Sequence, residues 1–100
     1  MERRDCMTIQ VRTVHTIAKI ISGRKIFAEI PAKSTLHDFL KFMTDTYGQD
    51  FYDAVCDESG YPMHRVAILV NGTSAAVLGG AELTLKDGDD VLILPVTSGG

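Results

Sequence analysis

Apolar and polar positions along this chain fall into a few segments of clear period. From Met7 to Val14 they alternate, Ile9 and Val11 on one side against Thr8, Gln10 and Arg12 on the other, as in a half-buried strand. Ile17 to Ile21 is less regular and Ser22-Gly23 supplies a turn, after which Lys25 to Pro31 alternates again, Ile26, Ala28 and Ile30 against Phe27 and Glu29. The two runs predict an N-terminal hairpin joined by a Gly-containing loop. Thr35 with Asp38 three residues on has the form of a helix N-cap and an acidic first turn. Leu36, Phe39, Leu40 and Met43 follow at helical spacing and Tyr47 extends the stripe to Gly48, so one main helix is predicted. A shorter helical piece is expected from Gln49 to Cys56, broken by Asp57-Glu58-Ser59-Gly60-Tyr61-Pro62.

The second half reads as strands. Val66-Ala67-Ile68-Leu69-Val70 is continuously apolar and closes on the turn pair Asn71-Gly72. Thr73 to Leu78 is expected as a short edge strand ended by Gly79-Gly80. Leu83-Thr84-Leu85 leads into the turn Lys86-Asp87-Gly88-Asp89, and a last strand runs from Asp90 to Leu94 before Pro95 stops it. Two strands, a helix and further strands make an α+β domain, a mixed sheet of four to five strands on one helix. Ile9, Val11, Leu36, Phe39, Leu40, Ile68, Val70, Val91 and Ile93 share the predicted interior. Strict alternation then turns Ala67, Leu69, Leu92 and Leu94 to the opposite face. That face is either a partner-binding patch of Leu69, Leu92 and Leu94 or is covered from within by residues 73–78 or 49–56.

Composition narrows the function. A chain of 100 residues with 45% apolar and 23% charged residues is expected to form one domain, residues 7–95, between a flexible leader, 1–6, and a flexible tail, 96–100. A net charge of −3 disfavours nucleic acid as a partner. No apolar run reaches membrane-spanning length and no signal-like stretch follows Met1, so neither a membrane partner nor export is expected, and a cytoplasmic location is the default. Cys6 and Cys56 are far apart, and His15, His37 and His64 are scattered, which offers no metal-ligand spacing and excludes a four-thiolate iron–sulfur centre. The cysteines read as structural or incidental thiols. The run Asp87-Gly88-Asp89-Asp90 uses the residues of a tight turn and lacks calcium-loop spacing, and His64-Arg65 reads as a solvated surface pair. No acid and base residues share an obvious site, so an enzyme is disfavoured.

The tail is the candidate for chemistry. Val96-Thr97-Ser98-Gly99-Gly100 follows the strand-stopping proline, and a Gly-Gly end passes through a channel too narrow for any side chain. The plain alternative is a frayed terminus.

Val70-Asn71-Gly72 at the end of the third long strand, Leu85-Lys86-Asp87-Gly88-Asp89-Asp90-Val91 entering the last, and Pro95 shortly before Gly99-Gly100 together resemble the ubiquitin-like β-grasp sulfur carriers typified by MoaD, the small subunit of molybdopterin synthase, and ThiS of thiazole synthesis. The resemblance covers Met7 to Gly100. In place of the family's Phe-Gly-x-Leu-Arg-Glu type segment stands Val14-His15-Thr16-Ile17-Ala18-Lys19. It implies a β-grasp fold with no bound cofactor, and a Gly100 carboxylate adenylated with ATP by a ubiquitin-activating-enzyme-like adenylyltransferase. Conversion to a thiocarboxylate would follow, with Thr97, Ser98, Gly99 and Gly100 threading the partner's active site. The acceptor would be a MoaE-like synthase large subunit or a thiazole-synthase-like enzyme. Two other readings stand beside it: a ubiquitin-like modifier joined to lysine through Gly100, and a binding domain whose Gly-Gly end is idle.

Overall fold

A computed structural model describes residues 6–58 and 65–95. The first strand, β1 (Cys6–Thr13), buries Met7, Ile9, Val11 and Thr13 and exposes Thr8 and Arg12, the alternation expected of it. It opens at Cys6, one residue inside the segment read as leader. The rest of that leader, residues 1–5, and the tail, 96–100, lie outside the described residues. The second strand, β2 (Lys25–Pro31), pairs antiparallel with β1, Val11 opposite Ile26 and Ile9 opposite Ala28.

The connection between them is not the simple loop expected. It holds a short helix, α1 (His15–Ile20), that puts Ile17 and Ile21 into the core. Their four-residue spacing is helical, and it broke the strand pattern without being long enough to announce a helix.

The main helix is α2 (Leu36–Tyr47). Thr35 caps it: the Asp38 N–H donates to Thr35 Oγ1 at 3.1 Å while the Thr35 N–H donates to Asp38 Oδ2 at 3.0 Å, satisfying two backbone donors reciprocally. Leu36, Phe39, Leu40 and Met43 are buried against the sheet. A second helix, α3 (Gln49–Val55), packs on α2 and α1, adding Phe51 and Val55 to the same core.

The strand β3 (Val66–Val70) turns at Asn71-Gly72, where both residues have positive φ (53° and 87°), the geometry a two-residue hairpin requires. The edge strand beyond it is shorter than expected. Of that segment only β4 (Thr73–Ser74) is strand: the Ala75 N–H still bonds to the Ile68 carbonyl, and the chain then turns, Val77 N–H to the Ser74 carbonyl and Leu78 N–H to the Ala75 carbonyl. The last strand, β5 (Asp90–Pro95), inserts between β1 and β3, parallel to the first and antiparallel to the second. The sheet order is β2-β1-β5-β3-β4. This is the α+β ubiquitin-like β-grasp architecture expected. All nine residues named for the shared interior are buried.

Candidate functional site

The turn that delivers the chain into β5 is held by its own acids. The Thr8 N–H donates to Asp87 Oδ1 at 2.8 Å and the Lys86 N–H to Asp89 Oδ2 at 2.8 Å. Asn71 links this turn to the β3–β4 hairpin, donating through Nδ2 to Asp89 Oδ1 and accepting the Asp90 N–H at Oδ1. Asp90 is gripped from β1: Arg12 Nε and Nη2 donate to its two oxygens at 2.8 and 2.7 Å, and Gln10 Nε2 donates at 2.7 Å. The Arg12 fork is the main reason the Asp90 carboxyl lies below its ordinary range. Partial desolvation opposes the shift, and Gln10 and the Lys25 charge assist it. The three carboxylates are therefore acceptors for protein donors, the turn reading made of them. Among the described residues no group of His, Cys, Asp and Glu is arranged to hold a metal ion.

On the face of β5 away from α2, Leu92 pairs with Leu69 and Leu94 with Ala67 across the β3 ladder. All four side chains are half-buried. The internal cover considered for this face is not what those segments provide: Gln49–Val55 forms α3 on the helix side, and after β4 the side chain of Val77 is 77% exposed. Across β1 the face becomes polar, since Arg12 is the partner of Leu92 and Gln10 of Asp90. The outer surface is thus apolar over Ala67, Leu69, Leu92 and Leu94 and carries charge over β1 and β2, where Phe27 stands exposed between Lys25 and Glu29.

The structure places Leu69, Leu92 and Leu94 on one face of β3 and β5, half-buried where an exposed patch was expected. Thr97, Ser98, Gly99 and Gly100 lie outside the described residues, as does His64, while Arg65 is exposed. The Arg12–Gln10–Asp90 cluster was not foreseen. Alternation turns Gln10 and Arg12 outward, but nothing local says that β1 will lie beside β5.

The thiols play no evident chemical part. Cys6 is exposed. Cys56 is buried beside a cavity of about 280 Å³ that His37 also lines, and burial, reinforced by the charge of Asp57, pushes its thiol up to about 11. It stays protonated at neutral pH and is a poor nucleophile.

Residues 14–100, everything from α1 onward, match the ThiS family. The chain belongs to the ThiS family. Among its curated relatives, the ubiquitin-related modifier 1 homolog of Caenorhabditis elegans is 31% identical over 84 residues, 81% of this chain and 84% of that protein. The small archaeal modifier protein 3 of Haloferax volcanii is 27% identical over 94 residues, 94% of this chain and all of that protein. The solution structure of the Haloferax volcanii HVO 2177 protein superposes with a TM-score of 0.85 at 23% identity, over all of this chain and 92% of that one, and shows the same fold. This ThiS-family chain is thus one of the MoaD/ThiS-like ubiquitin-like proteins, a group that holds both sulfur carriers and small modifiers.

Proposed function

We propose that the protein is a sulfur carrier whose Gly100 carboxylate is adenylated by a ubiquitin-activating-enzyme-like partner and converted to a thiocarboxylate. Membership of the ThiS family through residue 100 carries this reading, because the match includes Gly99-Gly100. A carboxylate is a poor electrophile until adenylation makes its oxygen part of a good leaving group. The thiocarboxylate then formed is an effective sulfur nucleophile. In this reading the partner supplies the ATP site and the domain acts as its co-substrate. Its contribution is placement: Leu69, Leu92 and Leu94 seat the domain on the partner while Thr97, Ser98, Gly99 and Gly100 enter the active site. The acceptor of sulfur is a cofactor-building synthase of molybdopterin or thiazole type, and the cycle runs in the cytoplasm with no metal or cofactor resident on the carrier.

A second reading has its own support. Two relatives are named as modifiers, so joining of Gly100 to a lysine of another protein is the alternative fate of the same adenylate. Intact-mass measurement of the protein recovered from its native host separates the two. A gain of one sulfur in place of one oxygen at the terminus supports carriage, and an isopeptide-linked adduct supports modification. Deletion of Gly100 should abolish adenylation by the cognate enzyme with little change in thermal stability. A truncated protein adenylated at the wild-type rate would overturn both.

A further inference from the structure

At the far end of the sheet from β4, β2 has a strand partner on one side only among the described residues. The bond from the Thr13 N–H to the Arg24 carbonyl sets the phase of the β1–β2 ladder. In an antiparallel pair, hydrogen-bonded and non-hydrogen-bonded positions alternate, so Ile26, Ala28 and Ile30 bond to β1. Lys25, Phe27 and Glu29 turn their N–H and C=O groups to the open edge. Their side chains share the outer face, and Phe27 is 64% exposed there.

We propose that this edge pairs with the same edge of a second copy of the chain, antiparallel about a two-fold axis at Phe27. That register sets Phe27 against Phe27 of the second copy. It also sets Lys25 opposite Glu29 of the second copy, and Glu29 opposite Lys25, each pair exchanging two backbone hydrogen bonds. The edge is self-complementary in charge only there. Sliding one way by two pairs brings Lys25 onto Lys25; sliding the other way puts Pro31, which has no N–H, opposite Lys25 and then Glu29 onto Glu29. Lys25 and Pro31 are also the residues that ordinarily blunt an edge, and one strand buries little area, so the dimer is reversible and forms at high concentration. The apolar face over β3 and β5 lies on the far side of β1 from this edge and stays open. The proposal does not rest on the carrier reading.

Sedimentation equilibrium on the full chain from micromolar to millimolar concentration tests it, with amide hydrogen exchange as the local readout. The expected result is a concentration-dependent dimer in which the amides of Lys25, Phe27 and Glu29 gain protection. Lys25→Glu and Glu29→Lys should each weaken it at least about tenfold, since two attractive pairs become two repulsive ones. An equimolar mixture of the two variants should restore association as a one-to-one heterodimer, which shows that both are folded. A wild-type chain that stays monomeric throughout the range overturns the proposal. So does association unaffected by either reversal, or protection of these amides by an added extended peptide while the chain alone remains a monomer.

Discussion

Where β1 runs out, the Thr13 hydroxyl donates to the Ile93 carbonyl across 2.6 Å, in a position almost wholly buried. The Thr13 N–H goes the other way, to the Arg24 carbonyl, so the last residue of β1 ties β5, its ladder partner through Ile93, to the first hairpin.

Replacing Thr13 by valine keeps the shape and removes the donor. The Ile93 carbonyl then loses its side-chain partner in a buried site, at a cost of roughly 1–3 kcal/mol. Chemical denaturation should report a lower midpoint with an unchanged slope. Thr13→Ser should recover a large part of the loss.

Truncation of the interior has a larger effect. Leu40 and Ile93 are both fully buried, on opposite sides of the helix–sheet interface. Leu40→Ala and Ile93→Ala should each cost roughly 2–5 kcal/mol, a large fraction of the stability of a domain this small. A midpoint unmoved by both would show that the interior is misassigned.

Acid should loosen the β1–β5 seam. Because the folded state holds the Asp90 carboxyl below its ordinary value, its contribution is present above the unfolded carboxylate range, near about 3.9, and is lost as pH falls through the folded value. Asp90→Asn should therefore flatten the stability profile below about pH 4. Arg12 and Asp90 are both partly open to water, so at neutral pH solvent screens the ion pair and its own contribution to stability is small.

The proposed docking face should separate from the core by mutation. Leu92→Ser with Leu94→Ser should weaken binding to the activating enzyme or sulfur acceptor by at least about tenfold while leaving the fold intact, since both side chains already meet water. Binding measured per folded molecule and a melting curve on the same sample decide it. Lost stability with unchanged affinity would assign these leucines to the interior.

The two thiols should differ in reactivity. Alkylation at neutral pH should label exposed Cys6 and spare Cys56 until the chain is unfolded, because burial keeps the Cys56 thiol protonated and covered. Peptide mass mapping before and after denaturant provides the check.

The sequence showed the parts of this fold that repeat. Helix α2 has a stripe long enough to read and a cap at its start, and β1 and β2 alternate cleanly. Helix α1 did not show itself, because six residues offer a single helical repeat, Ile17 to Ile21, and no capping side chain. The continuously apolar run Val66–Val70 carries no alternation to mark its faces, and the structure leaves Ala67 and Leu69 half open. The Arg12–Asp90 and Thr13–Ile93 links join residues about eighty positions apart, and local pattern has no means of pairing them. The β-grasp resemblance supplied the neighbouring of the third and last strands that periodicity alone could not.

The place of β5 also fixes an order of events during synthesis. The strand at the centre of the sheet is the last of the five to leave the ribosome, and until it arrives β1 and β3 have no common neighbour. Without β5 the earlier segments cannot close the sheet, and Val11, Thr13 and Ile68 lack the strand they pair with. A chain cut before Asp90 should show no cooperative unfolding transition by circular dichroism. Nascent chains of this protein therefore have no finished domain to offer a partner until the residues just ahead of the tail have themselves been made.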